Sequence, residues 1–291
     1  VTESDIHFPE NDMKQESADA QIKVERRSPS YWRVVFDRPP FNIFGPDTMP
    51  QLGAVVTALE NDPHLNVVVF DSAVPDFFLT HYDFVPPLEV TVNLPPGPTG
   101  MPPLPDMLAR IGRASVISIA KIRGRASGVG SELALASDMR FASNEYALLS
   151  QWEIGAALVP GGGPMTRLSR LIGRGRALEV LTSGNDIDGP LAERYGYVNR
   201  SLPDGELDAF VDGLATRISL FDKQSLSAIK QLVNAQTLPP DSAVAPEWDA
   251  FIASVGRPAA QEKIGQLMKL GLQKEYDVEA RLGHYTGTLW R

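Results

Sequence analysis

The chain reads as an α/β protein in which helices pack on mainly parallel strands, followed by a helical C-terminal third. Three observations predict this. Residues 66–70 (Asn-Val-Val-Val-Phe) form a short, continuous, β-branched run, the pattern of a strand buried on both faces. Strand, glycine turn and helix then recur, 116–122 leading into 129–137, with 139–142 as a further strand. Past Gly163 the apolar spacing turns helical over 164–172, 175–181, 188–195, 206–219 and 222–236, and again over 261–282.

Taken in order, residues 1–20 are polar and acidic without apolar periodicity and are expected to form a disordered tail. Two strands are expected at 22–26 and 31–36, split by the Ser28-Pro29-Ser30 turn and ended by Pro39-Pro40. Met49, Leu52, Val55, Val56 and Leu59 recur at helical spacing within 48–60. The segment 85–106 is crowded with proline, so it is expected to be a long surface loop, with a short helix starting at 107–111. The helix at 222–236 puts Leu226, Ile229, Leu232 and Val233 on one face, and the apolar faces of the helical C-terminal third predict either packing against a partner subunit or a fold back onto the chain's own core. The boundaries expected are 1–20 for the tail, 21–205 for the α/β core and 206–291 for the helical region.

With 291 residues, 43% hydrophobic and 22% charged, the chain has ordinary globular composition. A formal charge of −9 argues against a nucleic-acid surface. No cysteine is present, which excludes disulfides, thiolate metal sites and thiol nucleophiles. His7, His64, His81 and His284 lack metal-ligand spacing, so no metal is expected. With neither a membrane-spanning run nor a signal-peptide pattern, the expectation is a cytoplasmic protein with no membrane partner.

The residues that can carry chemistry cluster between 119 and 170. A small-residue turn, Gly124 to Gly130, opens a helix-forming run that carries Glu132. There the carboxylate either complements the helix dipole or serves a ligand bound by the free N–H groups, and the helix start is expected to lower its pKa. Glu153 lies between Trp152 and Ile154, where apolar flanks favour a raised pKa and general-acid work; the alternative is a loop acid at the surface. Asp83 closes a segment that leaves the buried strand, either as a ligand-site residue or as a helix N-cap. His81 titrates near neutral pH or is a packing residue. Pro160-Gly161-Gly162-Gly163 lacks a dinucleotide or phosphate-loop pattern, and its expected role is to keep Glu153 near Glu132.

The runs Gly-Arg-Ala-Ser-Gly-Val-Gly-Ser-Glu-Leu-Ala-Leu-Ala-Ser-Asp, Gln-Trp-Glu-Ile, Val-Pro-Gly-Gly-Gly-Pro-Met-Thr-Arg-Leu and Leu-Ile-Gly-Arg-Gly-Arg-Ala occur in that order. In them the chain resembles the crotonase superfamily, best known for enoyl-CoA hydratases and isomerases, over roughly 22–236. The resemblance implies a spiral of ββα units, C-terminal helices that drive a homo-trimer or hexamer, and an acyl-CoA thioester substrate. It implies no cofactor beyond the coenzyme A of that thioester. It further implies Glu132 as the acid that activates water, Glu153 as the one that delivers a proton to the α-carbon, and the backbone N–H groups of Tyr82 and Val129 as holders of the thioester oxygen. His81, Asp83, Gly128 and Trp152 would line the substrate pocket.

Two departures are visible. Thr80-His81-Tyr82-Asp83 replaces the family's Ala-Gly-Ala-Asp, and Val129 replaces a glycine, so the pocket is reshaped. Hydration of an enoyl-CoA is the leading expectation. The alternatives are an isomerase, decarboxylase or C–C bond hydrolase using His81 and Tyr82, and a non-catalytic acyl-CoA-binding protein.

Overall fold

The computed structural model describes residues 20–290. The expected disordered tail therefore lies, all but its last residue, outside the described residues. In chain order the elements begin with β1 (Ile22–Ser28), β2 (Tyr31–Phe36), α1 (Thr48–Asn61), β3 (Val67–Ser72), β4 (Phe77–Leu79), α2 (Leu88–Val92) and α3 (Pro103–Arg113). Next come β5 (Ile117–Ile122), β6 (Arg125–Ser127), α4 (Val129–Ala136), β7 (Met139–Ser143), β8 (Leu148–Ser150) and a 3-10 turn at Glu153–Ala156. The chain continues with α5 (Pro164–Ile172), α6 (Arg174–Ser183), β9 (Ile187–Asp188), α7 (Gly189–Tyr195), β10 (Arg200–Leu202) and α8 (Asp204–Ser219). It finishes with α9 (Lys223–Thr237), α10 (Asp241–Val255), α11 (Pro258–Leu270), α12 (Tyr276–Ala280) and α13 (Leu282–Thr288).

Two sheets organise these elements. The larger has the order β1-β2-β3-β5-β7-β10, the smaller β4-β6-β8-β9. Each of the pairs β3–β4, β5–β6 and β7–β8 places its first strand in the large sheet and its second in the small one. The two sheets thus ascend together, and the neighbours β2 to β3, β3 to β5 and β5 to β7 are parallel. The central strands are apolar throughout because both faces are covered. Val68, Phe70 and Ala120 pack with α1, α3 and α4 on one side, while Val67, Val69, Ile119 and Phe141 meet Leu207, Val211 and Ala215 of α8 on the other.

Three expectations change. The proline-rich segment contains α2 and the start of α3, which begins four residues earlier than expected because Pro103 occupies a first-turn position, where proline has no hydrogen bond to lose. The expected helix over 261–282 breaks at Gly271, whose φ of 109° stops α11, so α12 and α13 follow separately. Helix α10 is additional. Its Val244, Trp248, Phe251, Ile252 and Val255 recur at helical spacing, but Pro239, Pro240 and Pro246 read in sequence as breakers.

Helices α10 to α13 fold back over the chain's own core, packing around Trp152, Ala156 and Leu158. Helix α9 lies on the core through Lys230, which is buried and donates to the Val116 carbonyl (2.8 Å) and Asp138 (2.7 Å). Its opposite side leaves Ile229, Leu232 and Val233 exposed.

Candidate active site

The start of α4 is wedged between the ends of two short strands. Gly130 N–H donates to the Thr80 carbonyl (3.1 Å) after β4, and Gly128 N–H donates to the Ser150 carbonyl (3.1 Å) at the end of β8. The approach at Gly130 is so close that a Cβ would lie 1.7 Å from the Leu79 carbonyl oxygen, so only glycine fits. Gly128 holds a φ of 54°, and a Cβ there would press on Glu153 Oε1, Trp152 Nε1 and His81 Cα. This wedge brings residues 81–82, 128–132 and 152–153 to one cavity of about 390 Å³, counting its mouth.

Glu132 lines that cavity from the first turns of α4 and is 3% exposed. Gly162 N–H donates to its Oε1 at 2.7 Å. The triple-glycine turn therefore grips Glu132 directly, and a side chain at Gly162 would collide with the carboxylate. Behind this turn the buried Arg167 donates to the Gly162 carbonyl (2.6 Å), while Glu247 accepts from the Met165 and Thr166 N–H groups (3.0 and 2.9 Å). Burial pushes the Glu132 pKa up to about 7; Gly162 N–H opposes the rise, Glu247 adds to it and Arg167 opposes it. The lowering expected from the helix start is thus overturned, because desolvation outweighs it.

Glu153 opens the 3-10 turn and is 7% exposed. Burial, and then the neighbouring Glu132, raise its pKa well above the ordinary carboxyl range. With the Gln151 amide carbonyl accepting from Ser131 Oγ (2.9 Å), its NH₂ group reaches both Glu153 oxygens at 3.2 Å. Tyr197 OH bonds the same Ser131 hydroxyl, so a buried polar chain backs Glu153.

The N–H groups of Tyr82 and Val129 have no hydrogen-bond acceptor among the described residues, although both residues line the cavity. Their flanks are fixed: Phe44 N–H donates to the His81 carbonyl (3.0 Å), Asp83 N–H donates to the Phe44 carbonyl (2.8 Å), and Gly130 is tied to Thr80. Two unused main-chain donors beside two buried carboxyls suit a carbonyl oxygen that gains negative charge while protons move nearby.

The other expected residues divide. Gly128, Trp152 and His81 line the cavity, whereas Asp83 is not among its lining residues. Asp83 accepts from Gln273 Nε2 (2.7 Å) and Val85 N–H (3.0 Å) and pairs with Arg38 (3.4 Å), so it anchors the segment. It does not cap a helix either, since Pro87 precedes α2. Trp152 packs edge-on against His81 and Phe84 (5.4 and 5.9 Å). His81 is 1% exposed, with Nδ1 2.8 Å from the Tyr82 carbonyl and Nε2 3.0 and 3.1 Å from the two oxygens of Glu279. Burial is the largest influence on His81 and opposes its charge, but Glu279, the Tyr82 carbonyl and Asp83 together raise the pKa; burial likewise opposes charge on Glu279, and His81, Gln273 N–H and Arg125 together lower it. The pair is ionic, and both ring nitrogens donate.

Sequence reasoning missed Glu279, Gln151, Arg167 and Glu247, and also Trp248 and Phe251 of α10, which wall the cavity with Phe84, Leu104 and Leu158. The helical spacing of Trp248 and Phe251 was a usable signal. Nothing local pointed to Glu279, which meets a partner 198 residues away.

Fold and site together define a crotonase-type α/β protein with a buried acid pair beside free main-chain donors. The chain belongs to the enoyl-CoA hydratase/isomerase family, whose model matches residues 27–250. It is 29% identical over 222 residues to the short-chain-enoyl-CoA hydratase of Clostridium acetobutylicum, covering 75% of this chain and 83% of the relative. It is also 29% identical over 213 residues to the crotonyl-CoA hydratase of Syntrophomonas wolfei, covering 72% and 80%. A crystal structure from Streptomyces avermitilis, provisionally described as an enoyl-CoA hydratase, superposes with a TM-score of 0.88 at 40% identity, over 92% of this chain and 97% of that one. The spiral of ββα units expected from the sequence is the fold observed.

Proposed function

We propose that this protein hydrates the 2,3 double bond of an enoyl-CoA thioester. One observation carries the reading: two buried carboxyls, both raised above the ordinary range, share a cavity with two acceptor-free main-chain N–H groups. Tyr82 and Val129 N–H hold the thioester oxygen, so that the enolate formed on addition is stabilised where its charge develops. Ionised Glu132 takes a proton from water as the water oxygen bonds to C3. Protonated Glu153 then gives its proton to C2, and the proton held by Glu132 restores the pair. Coenzyme A enters only as part of the substrate.

A pKa raised to about 7 suits Glu132 to exchange a proton near neutral pH, and the upward shift of Glu153 favours its proton-bearing form. The hydrolytic alternative is not favoured: both His81 nitrogens are engaged, which leaves no free base for a β-dicarbonyl substrate. The exposed apolar side of α9, together with Leu220 and Phe221, supports assembly as a homo-trimer or hexamer.

With crotonyl-CoA, the conjugated enoyl absorbance should decay in the presence of purified protein. Glu132→Gln should slow that decay roughly 10²–10⁴-fold, the usual weight of a positioned acid or base. No decay with any short or medium enoyl-CoA, or an unaffected Glu132→Gln variant, would sink the reading. Calorimetric binding without turnover would instead mark a non-catalytic acyl-CoA binder.

A further inference from the structure

The segment that presents Tyr82 N–H to the cavity is held by a part of the chain nearly two hundred residues away. Glu279 of α12, 0% exposed, receives His81 Nε2–H, and its Oε1 also accepts Gln273 N–H at 2.7 Å. Gln273 in turn accepts Phe84 N–H (3.0 Å) and donates to Asp83 Oδ1 (2.7 Å). His81 Nδ1–H closes onto the Tyr82 carbonyl. From 81 to 84, every residue is thus tied either to the C-terminal segment or through His81, while Tyr82 N–H is left free.

Two further features mark the arrangement as specified rather than incidental. Gln273 has a φ of 66°, a conformation a non-glycine residue rarely adopts, and its backbone and side chain both serve this network. Burying an ion pair gives little or no net stability compared with packed apolar side chains of similar size, so what the His81–Glu279 pair contributes is a fixed geometry. The charged groups facing the pair are Asp83 beside His81 and Arg125 beside Glu279.

We propose that His81 and Glu279 are positioning residues: through them the C-terminal segment fixes the Tyr82 N–H that holds the thioester oxygen. The inference rests on the hydratase reading above. Neither side chain acts on the substrate; each sets where a donor points, and a displacement of about 1 Å at such a donor is enough to cost roughly 10²-fold in rate.

The test uses the full chain, crotonyl-CoA for turnover, and butyryl-CoA labelled with ¹³C at the thioester carbonyl as a ligand that cannot be hydrated. In the wild type, infrared difference spectra should show the bound carbonyl stretch below its free value, because hydrogen bonds weaken the C=O bond. Glu279→Ala should lower kcat roughly 10–100-fold, leave KM within about threefold, and return the carbonyl stretch toward its free value. Glu279→Gln, whose amide oxygen still accepts, should fall between the two. If the alanine variant does not fold, His81→Leu combined with Glu279→Leu replaces the pair by apolar groups. That variant should keep the melting temperature to within a few degrees yet show the same loss of kcat and carbonyl shift. Folded variants with wild-type kcat and carbonyl frequency overturn the inference while leaving the hydratase reading intact. A wild type that neither binds butyryl-CoA nor hydrates crotonyl-CoA overturns both.

Discussion

Glu132 and Glu153 are the same residue type and face the same cavity, yet their surroundings treat the proton differently. Glu132 keeps one strong main-chain donor from Gly162 and sits near Arg167, whereas Glu153 has burial and a neighbouring acid working against its charge. Glu132 should therefore titrate near pH 7, coupled to a Glu153 whose own titration is raised. On the proposed mechanism, kcat/KM should rise through about pH 7 and fall on the alkaline side, which a pH–rate profile checks directly. Stability follows the same linkage. Between about pH 4.5 and 7 the folded chain holds a proton on Glu132 that the unfolded chain has lost, so stability falls as pH rises through that window. Glu132→Gln should accordingly raise Tm at pH 8, by roughly 4 °C, and change it little at pH 4.5. The identity of the two acids was legible in sequence because each follows or precedes a glycine turn. The sign of the Glu132 shift was not, since burial is a property of the packed cavity rather than of position in a helix.

At the scale of elements, the site depends on strands too short to announce themselves. β4, β6 and β8 have three residues each, below any readable alternation, yet their ends deliver Thr80, Gly128 and Ser150 to the wedge around α4. The long strands β3 and β5 were legible because burial on both faces makes them continuously apolar. The proline-rich stretch misled for a physical reason: Pro103 is harmless in the first turn of α3, where its missing N–H costs nothing. Gly130 tests the wedge itself. Gly130→Ala forces a methyl against the Leu79 carbonyl, so it should destabilise the fold by about 2–3 kcal/mol in urea unfolding and depress kcat in whatever protein remains folded.

For the whole molecule, the C-terminal third meets the expectation of a fold back onto the chain's own core and leaves one apolar side uncovered. Helices α10 to α13 return to their own core and wall the cavity, while α9 offers a bare apolar side with Leu232 73% exposed. If that side is covered by other copies of the chain, Leu232→Asp should convert a larger species into monomer, read by light scattering after size-exclusion chromatography. An unchanged monomeric mass in both proteins would remove the proposed assembly without touching the site. The family resemblance, which covers roughly 22–236, made the spiral core readable but does not reach Glu279.

Trp290 donates its indole N–H to the Gly155 carbonyl (2.8 Å), and Thr286 fills the space beside Gly155, where a Cβ would meet it at 2.3 Å. The end of the described chain is thereby latched to the turn that begins at Glu153. Loosening that latch should therefore reach the acid whose backbone it restrains. Trp290→Ala, which removes the indole donor, should slow crotonyl-CoA turnover while leaving the urea midpoint little changed.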